Sequence, residues 1–286
     1  MAGIRFLLKC LSFIPLELLY PICFLLAKPV FYIFKSRRKI IETNINKCFP
    51  GYSKNLRKRL VFKNSVNVLM GIFEACVAVW RSDKYIRSRV HMSGIERVVE
   101  SYKSGKSIIL VMPHTTTMTL SLRACSIYLP LSLVMRRQSE GFVSQVVNTA
   151  VKKFMYNSID NRDARTLVKT IKLGNPVIIL PDHDLGRVGC SFVKFFGVEA
   201  ATTNSIPRLT RIADSEVIIV TANREKYFRY KVKFSRKLDN YPSSNFDQDT
   251  LRINAELTSS LMPIIDQYYW IHRRFKTRKN NTEKFY

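Results

Sequence analysis

The sequence predicts an α/β fold, a mostly parallel central sheet flanked by helices, preceded by an N-terminal hydrophobic membrane-anchor segment. Three observations predict it. Short β-branched apolar runs alternate with helical stretches from Gly105 onward, prolines and glycines mark where those runs end, and residues 10–34 are almost continuously apolar. With 286 residues, 47% of them hydrophobic, the chain can bury one large core. Residues 1–39 read as the anchor with its basic flank, and 40–286 as the body of the fold.

The stretch from Cys10 to Phe34 is long enough to reach across a bilayer core. Glu17 and Lys28 interrupt it, and Pro15, Pro21 and Pro29 favour a broken or shallowly inserted anchor as much as one straight span. A cleavable signal peptide fits poorly, because no small-x-small site precedes the basic run Lys35-Ser36-Arg37-Arg38-Lys39. That run suits the cytoplasmic side of a membrane and attracts anionic headgroups. Ser53 is a candidate N-cap for a long helix through Trp80.

Beyond Gly105 the pattern predicts a strand at 107–112, a helix at about 115–128, a strand at 131–135 and helices at about 141–155 and 163–173. A strand at 176–181, a helix at about 204–213 and a strand at 216–222 follow. The segment Phe228 to Phe234 alternates aromatic or apolar with basic residues and reads as an edge strand with one solvated face. A final helix is expected over about 247–271.

Charge restricts the partners. Lys and Arg outnumber Asp and Glu by 47 to 21, a net charge of +26, more than solubility requires, so an anionic partner is implied. No RNP, zinc-finger or helix-turn-helix signature supports nucleic acid. P-loop, G-x-G-x-x-G and H-E-x-x-H patterns are absent too. The six cysteines are scattered without a C-x-x-C pair, which suggests free thiols, with neither a metal site nor a disulfide framework.

Two constellations carry chemistry. Met112-Pro113-His114-Thr115-Thr116 places a histidine at the carboxyl end of a strand, the edge where open α/β sheets bind ligands. Pro181-Asp182-His183-Asp184-Leu185-Gly186 follows another buried strand directly. Asp and His there can orient a base, position a substrate hydroxyl or bind a cation, and an Asp-built turn is the alternative.

These residues resemble the late (secondary) acyltransferases of lipid A biosynthesis, within the lysophospholipid acyltransferase superfamily. Further marks are Asn46-Lys47-Cys48-Phe49-Pro50, Gly71-Ile72-Phe73-Glu74, Phe192 to Thr203 and Tyr269 to Arg278, so the match spans most of the chain. The resemblance implies an acyltransferase-like domain over 40–286 on the cytoplasmic face of the bacterial inner membrane. It implies an acyl- or aminoacyl-carrier protein as donor, through a phosphopantetheine thioester, and lipid A or its precursor as acceptor. No bound cofactor is expected. Both partners are acidic, which suits the charge.

The family signature is a His followed five residues later by Asp or Glu. His114 matches the histidine, but Thr119 stands where the acid belongs. Losing an orienting carboxylate costs about 10⁴ in rate, roughly 5 kcal/mol, in the Ser-His-Asp template. The implied catalytic residues are His114, Asp182 and Asp184, with Arg136, Arg162, His183 and Thr119 binding substrate. Arg136 or Arg137 matches a family arginine. Arg162 adjoins Asn161, where the family tends to carry Arg.

Thr119 points to an aminoacyl thioester, whose ammonium activates the carbonyl and which Asp182 or Asp184 could pair with. The chain resembles the family's divergent branch that transfers glycine to lipid A, which adds positive charge and weakens attraction to cationic antimicrobial peptides. The alternatives are a conventional fatty acyltransferase in which Asp182 or Asp184 replaces the missing acid, and a catalytically inactive membrane scaffold.

Overall fold

A seven-stranded sheet forms the centre of the computed structural model, which describes residues 2–136, 149, 151–280 and 284–286. Its strands are β1 (Val90–Ser93), β2 (Ile108–Val111), β3 (Ser132–Met135), β4 (Asn157–Asp160), β5 (Val177–Ile179), β8 (Glu216–Arg224) and β9 (Tyr230–Lys237). Strands β6 (Cys190–Phe195) and β7 (Val198–Thr203) pair separately as an antiparallel hairpin. The sheet order is β1-β9-β8-β2-β5-β3-β4. The five strands from β8 to β4 are mutually parallel, and β9 runs antiparallel to β8. The expected mostly parallel sheet is therefore present.

Strand β2 lies at the centre, and every one of its residues is buried. Its side chains alternate between two cores: Ile108, Leu110 and Met112 face one, Ile109 and Val111 the other. The first core includes residues of α2 (Leu16–Ile33), α4 (Lys54–Trp80), α6 (Ile95–Lys103) and α7 (Met118–Ser126). Into the second pack α3 (Lys35–Cys48), α8 (Ala164–Lys172), α9 (Ser205–Ala213), α10 (Phe246–Leu261) and the aromatic tail residues Tyr268, Trp270 and Phe275. Helices α1 (Ala2–Leu11) and α5 (Asp83–Arg89) precede α2 and β1 respectively.

Capping explains several boundaries. Ser53 accepts a hydrogen bond from the Leu56 N–H at 3.2 Å, and Asp163 accepts one from the Thr166 N–H at 3.0 Å, so α4 and α8 start where their cap residues stand. The helix expected over 141–155 falls largely outside the described residues, of which 151–154 are helical. Two expectations are corrected. Strand β9 is not an edge: β1 pairs with it in parallel, from Val90 opposite Tyr230 to Ser93 opposite Lys233. A strand of four residues is too short to reveal its period in sequence. The final helix stops at Leu261 and passes through a 3-10 turn, Met262–Gln267, into extended chain from Tyr268. Pro263 supplies the reason, since its ring removes a backbone donor and clashes with the preceding turn.

The anchor region is broken at Ser12 to Pro15, and α2 continues through Pro21 and Pro29. Its buried side chains, Leu16, Leu19, Cys23, Ala27 and Phe31, recur at intervals of three or four and face the body. The opposite face stays apolar and exposed, with Leu25 at 73% and Ile33 at 74% of their full accessibility. Helices α2 and α4 are each long and apolar enough to cross a membrane, although α4 is largely covered by protein.

Candidate active site

The pairing of β2 with β5 creates the site. Both strands run in the same direction as neighbours, and the ladder extends past β2 where the Met112 N–H donates to the Ile179 carbonyl at 3.1 Å. Each strand is then stopped by a proline, Pro113 and Pro181. The residues that follow emerge side by side at the carboxyl edge of the sheet, which is the usual ligand edge of such sheets. His114 and Asp182, 68 positions apart, meet there.

His114 donates its backbone N–H to Asp182 Oδ2 at 2.9 Å, and its ring Nδ1 lies 2.7 Å from Asp182 Oδ1. A carboxylate accepts at Nδ1 only if that nitrogen carries the proton, so the free lone pair of a neutral ring belongs to Nε2. The Asp182 side chain is fully buried, whereas that of His114 keeps 13% of its accessibility. Burial alone would raise the Asp182 carboxyl, but the neighbouring His114 charge and hydrogen bonds hold it well below the usual carboxylate range. Fully buried Tyr268 lies beside the same carboxylate, and burial followed by the Asp182 charge pushes its phenol well above the ordinary tyrosine value.

Three imidazoles stack at this edge. The rings of His114 and His183 are 3.5 Å apart between centroids with a 6° tilt, and His183 and His272 are 3.8 Å apart with a 16° tilt. Burial foremost, then the charge of His114, pushes the His183 imidazole far below its ordinary value. The same two causes lower His272 to about 4. The His183 and His272 rings are therefore neutral near pH 7. The Nε2 atoms of His183 and His272 are buried without a hydrogen-bond partner.

A cavity of about 700 Å³ opens on this edge. His114, Thr119, His183, Asp184, Tyr269 and His272 line its polar part, and Met118, Leu122, Leu133, Phe154, Leu167 and Leu185 contribute to its apolar wall. Arg136 and Lys276 add positive charge to the lining. Thr119 is half-buried in the wall; the carboxylate that meets His114 comes from β5 instead.

Asp184 is engaged differently from Asp182. Its oxygens accept from the Gly186 N–H at 3.0 Å, from the Thr277 N–H at 2.7 Å and from the Thr277 hydroxyl at 2.8 Å. It fastens the 182–186 turn to the C-terminal segment. Arg162 is exposed, its backbone N–H donates to Asp160 Oδ1 at 2.9 Å, and it does not line the cavity. Asn161 lines it instead, with a buried side-chain oxygen that has no partner. Arg137 lies outside the described residues.

Sequence reasoning missed the roles of His272, Tyr268 and Lys276. Only their place in the Tyr269 to Arg278 motif, or next to it, hinted that the C-terminal segment returns to the site. Among the described residues no group of three or more His, Cys, Asp and Glu side chains is arranged to hold a metal.

A family model described as bacterial lipid A biosynthesis acyltransferase matches residues 2–277. The lipid A biosynthesis palmitoleoyltransferase of Escherichia coli K12 is 28% identical over 279 residues, covering 94% of this chain and 90% of the relative. The lauroyltransferase of the same organism is 27% identical over 275 residues, covering 96% and 90%. A lipid A biosynthesis acyltransferase of Haemophilus influenzae is 29% identical over 245 residues, covering 85% and 78%. Among solved structures, a 1-acyl-sn-glycerophosphate acyltransferase from Thermotoga maritima aligns over 91% of this chain and 96% of its own, with a TM-score of 0.40 and 13% identity.

Proposed function

Because this chain belongs to the bacterial lipid A biosynthesis acyltransferase family, and is an acyltransferase of lipid A, we propose that His114 is its general base and Asp182 the carboxylate that orients it. The observation that carries the reading is the 2.7 Å contact between His114 Nδ1 and Asp182 Oδ1, made at the mouth of an apolar cavity. His114 Nε2 takes the proton of a lipid hydroxyl as its oxygen attacks the thioester carbonyl of a carrier-protein donor. The tetrahedral intermediate collapses, the C–S bond breaks, and the departing thiolate recovers the proton from His114. An ester forms and a thiol leaves. Arg136 and Lys276 supply charge for an acceptor phosphate or for the developing oxyanion.

For the transferred group we carry the glycyl reading, on Thr119. The side chain in the cavity wall at this position is uncharged, and the neutral imidazoles of His183 and His272 stand beside His114. A charged glycyl amine meets no fixed cation in these two rings, and its inductive pull eases attack on the thioester. Esterifying glycine onto lipid A would add positive charge and weaken the binding of cationic antimicrobial peptides. The carrier protein and the phosphorylated lipid are both acidic, matching the net charge of +26. The exposed apolar face of α2, followed by the basic residues from Lys35, suits the cytoplasmic surface of an inner membrane.

A fatty acyl donor is the second reading, favoured by a different observation. The 700 Å³ cavity has a largely aliphatic and aromatic wall, far more than a two-carbon group fills, and relatives are named for lauroyl and palmitoleoyl transfer. With Asp182 on His114, a missing acid at position 119 no longer demands an activated donor. Purified protein supplied separately with glycyl- and lauroyl-carrier protein and a lipid A precursor separates the two. Glycyl transfer upholds our reading, and lauroyl transfer alone replaces it.

A further inference from the structure

Asn64, Asn67, Gly71 and Glu74 stand at i, i+3, i+7 and i+10 of α4 and so share one helical face. Three of them are buried polar side chains in an otherwise largely apolar helix, and none of the four lines the cavity. All four lead to the loop that carries His114. Asn64 Nδ2 donates to the carbonyls of Asp266 at 2.9 Å and Tyr268 at 2.7 Å, and Asn67 Nδ2 donates to that of Asp266 at 2.9 Å. Glu74 accepts from Arg224 Nε and from the Tyr230 hydroxyl, the latter at 2.9 Å, while Arg224 Nη1 reaches Asn67 Oδ1 at 2.7 Å.

Arg224 passes the constraint onward through its backbone. Its N–H donates to Gln267 Oε1 at 2.8 Å, and Gln267 Nε2 donates back to its carbonyl at 2.9 Å. The Gln267 carbonyl accepts the Thr116 N–H at 2.8 Å, and the Tyr269 N–H donates to the His114 carbonyl at 3.0 Å. Thr115 forms an isolated bridge with Tyr268. Gly71 touches the same loop directly, for a Cβ there would sit 2.5 Å from the Thr116 carbonyl oxygen.

We infer that this face of α4 is a positioning element for the catalytic histidine: Asn64, Asn67 and Glu74 hold the 266–269 segment, and the bare backbone at Gly71 admits the 114–116 loop. The inference rests on His114 being the base. Stability alone does not account for the stripe, because a buried ion pair such as Glu74 with Arg224 is often no more stabilising than apolar residues of the same volume. What a fixed pair supplies is a single geometry at the loop above it.

Gly71→Ala tests it. The added methyl must displace Thr116, and a displacement on the order of 1 Å at a reacting group costs about 10²-fold in rate. We expect kcat of the folded protein to fall about 10- to 100-fold and KM to stay within about twofold, while the overpacking lowers the thermal midpoint by a few degrees. The ring ¹⁵N signals of His114 should move in histidine-labelled protein. Gly51→Ala, at a position with nothing within 4 Å, should match the parent throughout. Should Gly71→Ala fail to fold, Gln267→Leu, which removes both amide contacts to Arg224, takes its place under the same criteria. An unchanged kcat with unmoved His114 signals overturns the inference, as does a loss that only tracks the unfolded fraction. His114→Ala keeps the two ideas apart: activity surviving it defeats the base assignment, whereas the His114 ring signals of Gly71→Ala protein still report whether α4 positions the loop.

Discussion

Replacing Asp182 by Asn removes a charge while preserving a two-pronged side chain. In the parent, one oxygen accepts from the His114 ring at 2.7 Å and the other from the His114 N–H at 2.9 Å. The asparagine carbonyl can serve only one of these donors. Keeping the backbone bond turns the NH₂ group toward Nδ1, which must then be the lone-pair nitrogen, and the proton moves to Nε2. The base is lost with the fold intact. Neutralising the equivalent carboxylate in the Ser-His-Asp template costs about 10⁴ in kcat, about 5 kcal/mol at 1.36 kcal/mol per factor of ten. The site here is at least as dry, since the Asp182 side chain has no accessible surface, so we expect a loss of about 10³- to 10⁴-fold. Steady-state transfer from a carrier-protein thioester, measured from pH 6 to 9 beside a circular-dichroism check, reads it. Folded Asp182→Asn protein within about tenfold of the parent would refute the dyad. Thr119→Val supplies the contrast: with Nδ1 already satisfied from β5, it should change kcat by less than about fivefold.

Three further outcomes are expected. Glu74→Leu leaves Arg224 as an unpaired buried charge and should cost about 3–5 kcal/mol in denaturant unfolding, against a much smaller loss for Glu74→Leu combined with Arg224→Met; equal losses would deny the pair. Acid should destabilise the protein early, because His272 titrates near 4 when folded and near 6.5 when unfolded. The unfolded chain binds more protons between those values, so stability falls as pH drops through that window, by up to about 3 kcal/mol. His183 adds in the same direction. His272→Phe should flatten the slope, and an unaltered pH profile of thermal midpoints would count against it. Finally, Leu25→Asp with Ile33→Asp places carboxylates on the exposed face of α2, at up to about 2.5–3.5 kcal/mol in a bilayer for position 25 near the middle of the helix and less for position 33 at its end. The variant should move from the membrane pellet to the supernatant, and unchanged pelleting would show that this face does not hold the membrane.

The parts of the fold visible in sequence were those whose signals are local. Ser53 and Asp163 mark helix starts because a cap acts within three residues, and buried strands β2 and β5 show as unbroken apolar runs between glycine or asparagine and proline. Strand β1 stayed hidden, for its four residues are defined by their partner β9 rather than by any pattern of their own. The same division holds at the site. His114 and the Pro181 to Gly186 turn were legible as polar residues at strand ends, and Asp182 was named as a candidate. What no local pattern could reveal was that β5 inserts beside β2 in the sheet, so that Asp182 supplies the contact Thr119 cannot. Nor could spacing show that Pro263 ends α10 and returns Tyr268 and His272 to the cavity, or that Arg162 points away while Asn161 faces in.

On the proposed reading, the His114–Asp182 dyad transfers a glycyl group onto lipid A. Mass spectrometry of lipid A from cells carrying the parent, His114→Ala, or no protein addresses it most directly. A glycyl increment is expected with the parent and should be absent from the other two. A long-chain acyl increment would contradict the donor, and an increment that persists with His114→Ala would contradict the site.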